Sequence, residues 1–89
     1  MDFLKGKWIS IKNEVIQFSD MLENEKFHLD YNYNEDDMSF MKQDVLILYK
    51  TNEKHYHISE SEKFVSNNLN ILNKDEIEID GIIYKRIVS

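Results

Sequence analysis

The chain has 89 residues, 42% hydrophobic and 12% aromatic, with no cysteine and no proline. That length holds one small domain, 1–89, around one core, and the missing thiols exclude disulfide staples, Cys-type zinc sites and thiol nucleophiles. Seventeen acidic residues against 11 basic ones give a net charge of −6, which disfavours direct binding to a nucleic-acid backbone, since that needs clustered Lys and Arg.

Such a charge favours a basic protein partner: a nuclease, another nucleic-acid-binding protein or a toxin. Plain solubility is its other use. The opening residues MDFLKGKW contain no apolar run of signal-peptide length, and no window approaches a membrane span. The expectation is a cytoplasmic protein without a membrane partner. The frequent Ile, Asn, Lys, Asp and Tyr and the absence of proline point to an AT-rich genome, which speaks to source and not to mechanism.

The first extended segment is GKWISIK (6–12), where Trp8, Ser10 and Lys12 alternate with Ile9 and Ile11. EVIQFSDML (14–22) reads two ways. Ile16 and Phe18 alternate as in a strand, while Ile11, Val15, Phe18 and Leu22 recur at helical spacing. The extended segments on either side favour a strand.

EKFHLDYNYNED (25–36) puts Phe27, Leu29, Tyr31 and Tyr33 on one face and His28, Asp30, Asn32 and Asn34 on the other, the pattern of a half-buried strand. NEDD (34–37) follows as a polar turn. MSFMKQDVLILYKT (38–51) is long enough for one bent strand or two short ones. Its run from Val45 to Tyr49 is apolar on both faces, as in a strand covered on both sides. NEK (52–54) makes a turn, and HYHIS (55–59) alternates again, with Tyr56 and Ile58 together.

SESEKFVSNN (59–68) has Ser59 and Glu62 at capping-box spacing, which predicts one helical turn. LNIL (69–72) is a short strand. EIEI alternates, DG (80–81) signals a type I′ hairpin, and IIYKRI returns. The sum is an all-β fold: a small antiparallel β-barrel or strongly coiled sheet of about seven or eight short strands, with room for one short helix.

The opening LKGKW, with Gly6 and Trp8 as a G-x-W motif, resembles the start of lipocalin-like small barrels. The closing LNILNKDEIEIDGIIYKRI, with Tyr84 and Arg86 as Y-x-R, resembles their last strands. The resemblance implies that Trp8 packs over one end of the barrel and that Arg86 stacks on it through a cation–π contact. It also implies a small apolar ligand inside the barrel.

Chemistry-bearing residues are sparse. His55 and His57 share a strand face roughly 7 Å apart, with His28 or Asp30 as a third donor, but such a pair is common on solvated strands and assigns no metal. The carboxylates fall in turns and on polar faces, without the burial that splits pKa values for acid–base work. Ser59 and Ser61 beside His57 lack a nucleophile elbow, and no Gly-rich loop cradles phosphate. Neither an enzyme nor a cofactor is expected.

The tyrosines Tyr31, Tyr33, Tyr49, Tyr56 and Tyr84 suit either barrel ends or an interface. The acidic turns NEDD, SESE and DEIEID place carboxylates at spacings that imitate DNA phosphates. The leading expectation is therefore a non-enzymatic acidic protein that inhibits or sequesters a basic partner, in the manner of mobile-element inhibitors of nucleases and CRISPR-type effectors, or of toxin immunity proteins. Its contacts would be Glu35, Asp36, Asp37, Glu60, Glu62, Tyr31, Tyr33 and Tyr56. The alternative is a lipocalin-like binder of a small, largely apolar molecule. A third is an accessory subunit of a larger assembly.

Overall fold

Period-two alternation becomes eight strands in the computed structural model, which describes residues 3–20, 26–59 and 68–87. They are β1 (Gly6–Ser10), β2 (Val15–Asp20), β3 (Lys26–Asn34), β4 (Ser39–Asn52), β5 (His55–Ser59), β6 (Asn68–Asn73), β7 (Glu76–Ile79) and β8 (Ile82–Arg86). Each strand pairs antiparallel with the next, and β8 pairs back onto β1 through Trp8–Arg86, Ile9–Lys85 and Ser10–Tyr84. The sheet is thus a closed barrel, and closure removes the exposed edges that many short strands would otherwise present.

The register decides which residues face inward. Trp8 lies opposite both Ile16 and Arg86, Phe18 opposite Leu29, Tyr56 opposite Leu69, and Ile77 opposite Tyr84. Directly opposed residues share a face, so one apolar row lines the interior. Trp8, Phe18 and Tyr84 are its largest members, packed with Leu4, Ile16, Leu29, Leu46, Ile58, Leu69, Ile77 and Ile79. An eight-stranded barrel is just wide enough for side chains to fill it, and each buried aliphatic or aromatic side chain contributes about 1.5–3 kcal/mol.

Residues 15–20 form β2 and not a helix. Ile16 and Phe18 both reach the core between β1 and β3, and that burial outweighs the helical spacing. β1 is shorter than its alternation predicts. It stops at Ser10 because the Ser10 hydroxyl oxygen accepts the backbone N–H of Lys12 and of Glu14, both at 3.1 Å. Asn13 then turns the chain at φ 63°, leaving Ile11 70% exposed. At the last hairpin Asp80 and Gly81 have φ of 53° and 81°, the left-handed pair that a type I′ turn needs.

The long segment after the NEDD turn is one strand, with a one-residue register shift between Lys50 and Asn52. The run is not covered on both sides at its start: Leu46 is buried and Ile47 half-buried, but Val45 is 39% exposed. Residues 60–67, most of the segment where a helical turn was expected, lie outside the described residues, Glu60 and Glu62 among them, while Ser59 ends β5 and Asn68 begins β6. Among the described residues no helix is long and apolar enough to cross a membrane.

Up-and-down connectivity sorts the turns onto two ends. Residues 11–14, 35–38 and 80–81 sit at one end and carry Glu14, Glu35, Asp36, Asp37 and Asp80. Residues 53–54 and 74–75 sit at the other, with Phe3–Lys5, and bring Lys54, Lys74 and Arg86 together.

Candidate functional site

The β3–β4 hairpin outruns its neighbour on one side. The β2–β3 ladder reaches only the Gln17–Asp30 pair, whereas β3 and β4 stay paired out to Asn34–Ser39. Beyond that last β2 partner, Asn32 adopts φ 55°, a conformation Asn tolerates better than most residues. A groove of about 230 Å³ opens there, between Asn13, Glu14 and Val15 on one side and Asn32, Tyr33 and Glu35 on the other.

The tip is organised by Asn34. Its Oδ1 accepts the backbone N–H of Asp36 at 2.9 Å and of Asp37 at 3.4 Å, and its Nδ2 donates to Asp37 Oδ2 at 3.2 Å. This side-chain turn holds Glu35, Asp36 and Asp37 in succession, all exposed. Met38 follows at φ 53° and 78% exposed. A bulky non-glycine residue rarely takes that conformation. Behind the acidic turn, the rings of Tyr33 and Phe40 pack tilted with centroids 5.0 Å apart, and Met41 is exposed on the opposite face of the hairpin.

Three consecutive carboxylates beside exposed thioethers and a tyrosine ring make a surface with negative potential and apolar grip. Such a surface complements a cationic one and speeds association with it.

The expected contact residues do not all meet here. Glu35, Asp36, Asp37 and Tyr33 do. Tyr31 corrects the expectation: it is 6% exposed, part of the core, and its hydroxyl donates to Asp44 Oδ1 at 3.3 Å. It shares a strand face with Tyr33, but it lies inside the barrel while Tyr33 lies on the overhang. Tyr56 is half-buried at the other end of the barrel, beside Phe3 and Ile71. Asn34, Met38, Phe40 and Met41 join the tip without having been singled out. The Asn that opens NEDD, with its side chain free to cap its own turn, was the visible signal for the first of them.

At the opposite end, the Arg86 guanidinium lies 4.3 Å from the Trp8 ring centroid and 5.1 Å from that of Phe3. It donates to the carbonyl of Phe3 at 2.7 Å, of Lys5 at 3.3 Å and of Lys74 at 3.2 Å, and approaches Asp75 at 3.7 Å. Trp8 Nε1 donates to the Leu4 carbonyl at 3.0 Å. This constellation ties the chain before β1 to the β6–β7 turn.

His55 and His57 both point outward from β5. His55 is engaged at Nδ1 by the Thr51 hydroxyl and at Nε2 by Asn68 Oδ1, while His57 is exposed. Among the described residues no three His, Cys, Asp or Glu side chains converge as a metal site would require. No protein-family model, curated protein or solved structure matches the chain.

Proposed function

We propose that this protein is a non-enzymatic acidic binding protein that inhibits or sequesters a basic protein partner, and that it engages that partner with the tip of the β3–β4 hairpin. The observation that carries this reading is the tip itself. Glu35, Asp36 and Asp37 are exposed in succession, and next to them Met38 is exposed in a conformation that costs about 1–2 kcal/mol for an L-residue. Strain of that kind persists at binding surfaces when the contact it presents is used. A nuclease, a nucleic-acid-binding protein or a basic toxin supplies the matching charge, and the AT-rich residue usage is in keeping with a phage or mobile-element source.

The test is a pull-down from host lysate at low and high salt with the natural chain and with Asp36→Lys/Asp37→Lys. A basic protein recovered at low salt by the natural chain, and lost both at high salt and with the variant, supports the reading. Equal recovery by the variant overturns it.

A second reading is a lipocalin-like binder of a small apolar molecule within the barrel, favoured by the stacking of Arg86 on Trp8. Against it, Trp8, Phe18 and Tyr84 already occupy the interior. Native mass spectrometry distinguishes the two, since an interior ligand survives as a mass increment on the folded ion.

A further inference from the structure

The end of the barrel opposite the acidic hairpin carries a groove of about 610 Å³, within the size range of small-molecule sites. Phe3, Tyr56, Ile71 and Leu72 form its apolar lining, with Lys54 and Lys74 at its border. Ile71 and Leu72 are consecutive, and in a regular strand they would face opposite ways. Here the β6–β7 register shifts by one residue between Ile71 and Asn73. That bulge re-aims a side chain and lets both residues line the same groove. Leu72 is left 45% exposed by it.

The walls are fixed before any ligand arrives. The Ile71 N–H donates to the Lys54 carbonyl at 2.7 Å, which holds the β4–β5 turn against β6. Arg86 clamps the carbonyls of Phe3 and Lys74. A groove built this way loses little freedom on binding. Its charge is opposite in sign to that of the chain. Arg86 approaches Asp75 and is engaged by backbone carbonyls, so Lys54 and Lys74, both exposed, supply the accessible positive charge, and among the described residues that line the groove Glu53 is the one carboxylate.

We infer that this groove is a binding site for a small amphiphile, with its apolar body on Phe3, Tyr56, Ile71 and Leu72 and its anionic head between Lys54 and Lys74. The site is independent of the acidic hairpin, and it lies outside the barrel, whose interior is filled.

The test uses the full chain and two probes of equal tail length and opposite charge, decanoate and decyltrimethylammonium, followed by amide chemical shifts. Decanoate produces saturable shifts at Phe3, Tyr56, Ile71 and Leu72, and decyltrimethylammonium does not. Lys54→Glu/Lys74→Glu weakens decanoate binding by roughly tenfold, the loss of two partly solvated ion pairs, while its unliganded spectrum keeps the dispersion of the natural chain. Leu72→Asp, which leaves both lysines in place, weakens it as well. Equal binding of the two probes, shifts centred elsewhere, no saturable shift, or indifference to the lysine reversals overturns the assignment.

Discussion

Arg86 stacks on Trp8 across the seam where the last strand meets the first, with 4.3 Å between the guanidinium carbon and the ring centroid. The same guanidinium reaches the carbonyls of Phe3, Lys5 and Lys74, so one side chain on β8 joins the stretch before β1 to the β6–β7 turn. Arg86→Ala should cost about 3 kcal/mol, combining a partly desolvated cation–π contact with charge-assisted hydrogen bonds. Arg86→Lys keeps the charge but not the planar fork and should recover less than half of that. Urea denaturation followed by Trp8 fluorescence checks both, because Trp8 is the single tryptophan.

Tyr84 makes the barrel sensitive to alkali. Burial, reinforced by the carboxylates of Glu14 and Asp80, pushes its hydroxyl from 10.0 up to about 12. The raised value means that the folded state holds the proton when the unfolded chain has begun to lose it. The contribution is complete below pH 10 and is lost as pH rises towards 12, amounting to roughly 2–3 kcal/mol. Tyr84→Phe removes this dependence, so the stability difference between the natural chain and the variant should shrink steadily across that window. A difference that stays constant with pH refutes the assignment.

Met38 is the one apolar side chain among the described residues at positive φ. Asn accepts that backbone more readily, so Met38→Asn should raise stability by about 0.5–1 kcal/mol. The same change should weaken partner capture if the thioether is part of the contact. Thermal denaturation and the salt-dependent pull-down, run side by side, would separate the two effects.

Ser10 ends the first strand by accepting two backbone N–H groups. Ser10→Ala leaves both donors without that partner in a partly buried corner, a loss of about 1–2 kcal/mol. Ser10→Thr keeps the hydroxyl and should lie closer to the natural chain in the same melt.

Much of the barrel was legible in short stretches. The alternation of Phe27, Leu29, Tyr31 and Tyr33 is local and strict. Asp80–Gly81 announces its own turn, and the expected stacking of Arg86 on Trp8 is present. What alternation cannot carry is where a strand leaves the barrel. Tyr31 and Tyr33 look equivalent in sequence, yet one is in the core and the other on an overhang, because that difference depends on where β2 stops pairing. Ile11 continues the pattern of β1 but lies within the turn that the Ser10 hydroxyl makes. Leu72 was ordinary until a register shift with β7 turned it into a groove. Each of these depends on something that alternation within one strand does not contain: the end of the β2–β3 ladder, the Ser10 hydroxyl, and the β6–β7 register. The acidic hairpin was visible as charge, while its apolar members, Met38, Phe40 and Met41, became apparent only with the fold.

The pairing of β1 with β8 also dictates when this protein can become itself. Trp8 finds Arg86 only once β8 has been made, and no smaller set of strands closes the ring. Until then the inner faces of β2, β3 and β4 have water where Ile77, Ile79 and Tyr84 will later sit. Closure therefore waits for β8: seven ladders join strands adjacent in the chain, and the β1–β8 ladder alone closes the long loop whose entropy slows folding. A nascent chain stalled before β8 would be a target for chaperones and proteases, so the amount of folded barrel in a cell would follow the chains that reach β8 and not those merely initiated.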